Sequence, residues 1–242
     1  MTIPKVIHYC WFGKKELPQS VINCINSWKK YCPDYEIKQW DESNFDVHKF
    51  LFTEEAYKCG KYAFVTDVAR LEIISREGGV YLDTDVELLK NIDSLLESSS
   101  FMAMETVGRV NTGLGFGATK NHPFIIENLR AYYNRHFLLA NGKLDTTSCV
   151  TVTTNLLEKR YGKLSNQTAY FKDMVVYEPK VFCPLNLETN RLSISSSTLA
   201  IHHYDATWKD GKDKFLKMKI KLRKFLGSNL YEKIKNIVKT HQ

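Results

Sequence analysis

The chain has 242 residues, 43% of them hydrophobic and 25% charged, which excludes a disordered polymer, a collagen-like repeat and a disulfide-stapled miniprotein. Its net charge of +7 is unevenly spread: residues 209–242 hold 11 Lys and Arg against 3 Asp and Glu, so the first 208 residues carry −1. A near-neutral body with a basic tail does not read as a nucleic-acid binder. In chain order, Lys5–Trp11 is an apolar run between Pro4 and Gly13, a buried first strand. Pro18 opens a helix with Val21, Ile22, Ile25 and Trp28 at helical spacing, ending near Pro33-Asp34. Tyr35–Trp40 is a second strand, giving a β-α-β opening that favours an α/β sheet. A helix over Ala63–Arg76 stops at Gly78-Gly79. The strand Val80-Tyr81-Leu82 then leads into Asp83-Thr84-Asp85. Further strands are expected at Phe101–Glu105, Leu114–Ala118, Val175–Tyr177 and Leu199–Tyr204, with a helix from His122-Pro123 to about Leu139. Residues 140–155, polar and rich in Thr, read as loop or helix entry. Two short basic helices are expected in the tail.

The first residues lack a basic region followed by an apolar run and a cleavage site, so no signal peptide is expected. No uninterrupted apolar run approaches the ~18 residues of a membrane span. Cys10, Cys24, Cys32, Cys59, Cys149 and Cys183 are scattered without a C-x-x-C pair, the pattern of reduced thiols in a cytoplasmic protein.

Asp83 and Asp85 hold the chemistry. Strand alternation would turn both carboxylates to one side and Thr84 to the other. Two adjacent anions repel and are costly to desolvate unless a cation joins them. Hard oxygen ligands suit Mg²⁺ or Mn²⁺, ions that also bind substrate phosphates. The carboxyl ends of strands are where open α/β sheets bind ligands.

Three blocks of sequence carry a resemblance: Ile3–Gly13, then Ala63–Asp85, then His202-His203-Tyr204 with Trp208. They resemble the D-x-D sugar transferases of glycosyltransferase family 32 and, more distantly, the glucosyltransferase domains of large clostridial toxins. The resemblance implies a GT-A fold, in which a Rossmann-like nucleotide-binding half and an acceptor half share one domain over residues 1–208. It implies metal-dependent transfer of a hexose from a nucleotide-sugar with retained configuration, in capsular or surface polysaccharide synthesis. By position, Asp83 and Asp85 would hold the metal against the donor diphosphate, with His202 or His203 beside them. Asp67 and Arg70, three residues apart on a helix, would contact the donor sugar and ribose; an ordinary surface ion pair is the bland alternative. Trp11 would stack on the base, or is a core residue; Trp208 would cover the phosphates. Asn111, in a glycine-bearing stretch, is a candidate sugar contact.

The expected donor is a UDP-hexose ahead of GDP-mannose, and the acceptor a glycan, lipid-linked or free. The lysine-rich tail suits an anionic membrane surface, which would put the enzyme at the inner face of a membrane. Two other classes compete. A haloacid-dehalogenase-like phosphatase also uses D-x-D, although here the motif lies a third of the way along the chain and no downstream acidic pair follows. A non-catalytic binding protein docked through its tail is the other.

Overall fold

The computed structural model describes residues 2–186 and 191–204. Trp208 and the expected tail helices lie outside the described residues. Strand β1 (Val6–Cys10), helix α1 (Gln19–Tyr31) and strand β2 (Glu36–Trp40) form the expected β-α-β unit. Two helices follow, α2 (Leu51–Lys58) and α3 (Tyr62–Glu77), then strands β3 (Gly79–Tyr81) and β4 (Val86–Leu88). A short 3-10 helix at Asp93–Glu97 precedes β5 (Ser100–Thr106), β6 (Arg109–Val110), β7 (Phe116–Ala118) and helix α4 (Pro123–Arg130). Helix α5 (Cys149–Tyr161), β8 (Ala169–Tyr170), β9 (Val175–Tyr177), α6 (Pro179–Phe182), β10 (Leu185–Asn186), β11 (Arg191–Leu192) and β12 (Ala200–His202) complete the order.

The main sheet is mixed, ordered β2-β1-β3-β7-β5-β9-β8, with β6 on β5. β1 lies parallel to β2 and β3, and β5 to β9, while β7 runs antiparallel between β3 and β5. One core faces α2, α3, α4 and α5 and contains Val68, Leu71, Phe52 and Phe137. The opposite core packs Ile7, Val80 and Leu82 against Trp28 of α1 and Phe182 of α6. β4 and β12 make a separate antiparallel pair. It is tied to α1 where Trp28 Nε1 donates to the Val86 carbonyl at 2.7 Å.

His8 in β1 shows how the opening block serves the fold. The Trp40 indole donates to its Nδ1 at 3.0 Å, so its Nε2 carries the proton and donates to the Gly78 carbonyl at 2.9 Å. Burial holds this imidazole neutral, its pKa lowered to about 4. One buried side chain thus locks β1, β2 and the end of α3.

One helix was not foreseen, one helix end is corrected, and the stretch read as loop or helix entry is resolved. α2 was not foreseen, because its buried stripe is only Phe52, Thr53 and Ala56 and neither Pro nor Gly marks its start. The helix from Pro123 ends at Arg130, not near Leu139. Beyond it the chain turns back, braced by Arg135 Nε donating to Asp145 Oδ2 at 2.6 Å. The Thr-rich stretch is a helix from Cys149 onward, its buried face built of Cys149, Val150, Thr153, Thr154 and Leu157. Threonines and a thiol pack this face well while giving a weak hydropathy signal.

Candidate active site

α3 is buried on nearly every side, so a charged residue within it must find partners. Asp67 and Arg70 are 9% and 4% exposed, which removes the surface ion pair as an account of them. Arg70 Nη2 lies 3.1 Å from Asp67 Oδ1 and 3.2 Å from Asp83 Oδ1. Its Nε donates to the Thr66 carbonyl at 3.2 Å and its Nη1 to Thr112 Oγ1 at 3.4 Å. The guanidinium also stands 5.1 Å from the Tyr81 ring centre. Cys149, at the first turn of α5, adds to the pull of Arg70 in lowering the Asp67 carboxyl against the effect of burial. Arg70 is therefore held from every side before any ligand arrives.

The D-x-D motif lies just beyond β3, in a turn rather than in the strand itself. The Val86 amide donates to the Asp83 carbonyl at 3.0 Å and closes this turn. Alternation along a strand is thus not what brings the two carboxylates together; the turn is. Asp83 is fixed twice more: its amide donates to the Gly113 carbonyl at 3.1 Å and its Oδ1 accepts from Tyr81 OH at 3.2 Å.

β12 lies antiparallel to β4 with His202 opposite Val86, one residue past Asp85. This register brings His202 Nε2 to 3.1 Å from Asp85 Oδ1. Successive strand residues face opposite ways, so His203 turns outward and its Nε2 meets Glu87 Oε2 at 2.9 Å. Of the two candidate histidines, the structure brings His202 to the carboxylates. Asp83, Asp85 and His202 each offer a ligand atom, all within 4.8 Å of one another.

Electrostatics shows that the cluster has an excess of negative charge. Burial pushes the Asp83 carboxyl upward; Arg70 pulls it down, but Asp85 and Asp67 push it up again. Burial likewise raises Asp67 against the pull of Arg70. Burial opposes the His202 imidazolium, yet the attraction of Asp85 and Asp83 leaves its pKa raised. Burial, the largest cause, outweighs the Arg70 salt bridge, which alone would lower these carboxylates; by formal charge, one guanidinium faces the three acids Asp67, Asp83 and Asp85. His202 Nδ1 is buried without a hydrogen-bond partner. Two carboxylates, an imidazole and surplus negative charge fit a divalent cation.

The remaining expected residues are placed as follows. Asn111 is at the site: its Oδ1 accepts from the Gly113 amide at 2.7 Å and its Nδ2 donates to Glu105 Oε2 at 3.0 Å. Trp11 follows β1, and the parallel β1–β3 register puts the ends of both strands on one sheet edge. Its half-buried indole donates to the Lys15 carbonyl at 2.6 Å, with no bond to the acidic cluster among the described residues. Sequence reasoning missed Tyr81, Thr112, Gly113 and Cys149. Tyr81 had a legible signal, two residues from Asp83 at the end of an apolar strand; the others come together only through the fold.

Residues 18–102 match the glycosyltransferase sugar-binding region containing the DXD motif. An inositol phosphoceramide mannosyltransferase of Schizosaccharomyces pombe is 30% identical over 151 residues, covering 56% of this chain and 45% of that protein. A mannosyl phosphorylinositol ceramide synthase of Saccharomyces cerevisiae is 28% identical over 146 residues, covering 57% and 37%. The chain therefore spans less than half the length of these curated relatives. Among solved structures, the PaToxG glycosyltransferase superposes with a TM-score of 0.50 at 20% identity, covering 66% of this chain and 70% of that one. The D-x-D turn and the helix bearing Asp67 and Arg70 both fall inside the matched segment, so residues 18–102 are similar to a glycosyltransferase sugar-binding region, carried on a fold of the glycosyltransferase GT-A kind.

Proposed function

We propose that the protein transfers a hexose from a nucleoside diphosphate sugar, with a divalent metal held by Asp83, Asp85 and His202. The single observation that carries this reading is the cluster of half-buried Asp83 and Asp85 with buried His202, beside the caged Arg70. Mn²⁺ suits the mixed oxygen and nitrogen ligands better than Mg²⁺, which prefers oxygen alone. The cation, when bound, neutralises charge on the donor diphosphate. Arg70, oriented by Asp67, Thr66 and Thr112, adds a fixed positive charge where negative charge develops on the departing diphosphate. Asn111, held by the Gly113 amide, would meet the sugar. Retention by same-face attack of an acceptor hydroxyl needs no carboxylate nucleophile.

The names of the relatives favour mannose as the hexose over the UDP-hexose expected from the sequence. They also favour a lipid-borne polyol acceptor over a capsular glycan. An acceptor of that kind would place the enzyme at a membrane surface. Among the described residues, no helix is long and apolar enough to cross a membrane.

Donor hydrolysis and transfer, measured for GDP-mannose and UDP-hexoses across Mn²⁺ concentrations, test the reading. Asp83→Asn and Asp85→Asn are expected to lose about 10²-fold or more in rate, and His202→Ala to shift the metal dependence to higher Mn²⁺. Wild-type rates and metal dependence in Asp85→Asn would overturn the metal assignment.

A further inference from the structure

Asp67 and Arg70 occupy one face of α3, and Glu72, Ser75 and Arg76 project from another, roughly 160–170° round the helix at its ~100° per residue. That second face floors a cavity of about 610 Å³, bounded by Lys49 and Phe50 before α2, by Lys120 and Asn121 before α4, and by Tyr133 after α4. Nothing in the sugar-transfer chemistry above uses it.

Its lining has a definite chemistry. Lys49, Arg76 and Lys120 face Glu72, the one acid among the lining residues, so the cavity carries a net charge of +2. Lys49 Nζ lies 2.6 Å from Glu72 Oε1, and Arg76 Nη1 lies 3.5 Å from the same oxygen. Arg76 also meets Glu77 at 3.1 Å. Lys120 has no ion-pair partner among the described residues. The Glu72 side chain is 6% exposed, and its Oε2 is buried with no hydrogen-bond donor. A buried acceptor without a donor costs free energy, which a ligand hydroxyl recovers when the Glu72 carboxylate turns toward the cavity. Phe50 and Tyr133 stack at 5.7 Å with a 25° interplanar angle on one wall. Tyr133 is 48% exposed, which leaves an aromatic surface for the C–H face of a sugar ring.

We propose that this cavity is a binding site for a phosphorylated polyol, with phosphate at Lys120 and Lys49, a hydroxyl donated to Glu72, and the ring against Tyr133. A free sugar phosphate and a phospholipid headgroup that carries one share this chemistry. The site is separate from the D-x-D cluster and does not depend on the transferase reading.

The test is calorimetric titration of the full chain, in EDTA, with hexose phosphate, free hexose and inorganic phosphate. A parallel arm measures co-sedimentation with phosphatidylcholine vesicles doped with a phosphatidylinositol phosphate. Lys120→Ala and Tyr133→Ala replace side chains that are not buried, so both variants are expected to fold. Lys120→Ala is expected to weaken the phosphate-bearing probes about tenfold, the size of a hydrogen bond to a charged group. Tyr133→Ala is expected to weaken hexose phosphate and leave inorganic phosphate unchanged. Asp85→Asn is expected to leave this binding unaltered, which separates it from any donor-site signal. Binding of the soluble probe identifies a free ligand, and binding of the vesicle alone identifies a headgroup. Absence of binding in both arms, measurable binding of inorganic phosphate as tight as that of hexose phosphate, or binding unchanged by Lys120→Ala would each overturn the proposal.

Discussion

A methyl group at residue 113 would enter the space occupied by Asp83 Oδ2 and come within 3.0 Å of Arg70 Nη1. The backbone φ at Gly113 is not in the left-handed region, so the demand for glycine comes from the site and not from the turn. Gly113→Ala is therefore expected to fold with a melting temperature close to wild type while losing about 10²-fold in kcat/KM, the cost of displacing catalytic groups by about an ångström. A fully active alanine variant would show that Asp83 and Arg70 need not hold their observed positions. Asp83→Asn separates stability from function differently. Burial and the neighbouring acids make the Asp83 charge costly, so in EDTA this variant is expected to melt no lower than wild type. On the metal assignment proposed above, added Mn²⁺ is expected to stabilise the wild type and not this variant. A clear fall in melting temperature in EDTA would mean that the pairing with Arg70 outweighs the burial cost.

At the level of elements, two junctions hold the site in place. The first is the end of α3, where Gly79 has φ +104° and a Cβ would stand 2.9 Å from both His8 Nε2 and the Val6 carbonyl. Gly79→Ala is expected to cost about 2–4 kcal/mol in urea unfolding, from left-handed strain and loss of the His8 lock together. The second is the start of α5, where the Ser148 side chain accepts from the Thr151 amide. Ser148→Ala removes this cap and is expected to cost about 1 kcal/mol. α3 and its stop at Gly78-Gly79 were legible because apolar periodicity and paired glycines are local signals. α5 was less legible, read only as loop or helix entry, because Thr153 and Thr154 fill the middle of its inner face and hydropathy scales rate threonine as nearly neutral.

For the molecule as a whole, the acidic cluster couples folding to pH and, on the proposed reading, to metal. Asp67, Asp83 and His202 all bind protons more tightly when folded than when unfolded. Without metal, their contribution to stability is present at low pH. It is lost as pH rises from the ordinary carboxylate value of 3.8, and from 6.5 for the histidine, through the raised folded values. Asp145 has the opposite sign: the Arg135 hydrogen bond holds it at about 2, so its stabilisation is present above the ordinary carboxylate value and disappears as pH falls toward about 2. A metal ion competes with protons for the same ligands. The difference in melting temperature between Mn²⁺ and EDTA is thus expected to widen as pH rises from ~5 to ~8. A difference that stays constant across that range would exclude deprotonation of this cluster as a condition of metal binding.

Read by itself, the sequence determined the α/β class, the β-α-β opening, the helix that stops at Gly78-Gly79 and the identity of the acids, since periodicity, glycine stops and D-x-D are encoded within a few neighbouring residues. Which neighbours those acids meet depends on contacts between distant positions, Asp85 with His202 being the longest in sequence. The pairing of β12 with β4 chose His202 over His203, because a strand's register decides which of two adjacent side chains faces inward. The burial of α3 turned Asp67 and Arg70 from a helix-surface pair into a caged charge, since only packing sets how much water a group retains. The convergence of Gly113, Thr112 and Cys149 on that charge likewise exists only in the folded chain.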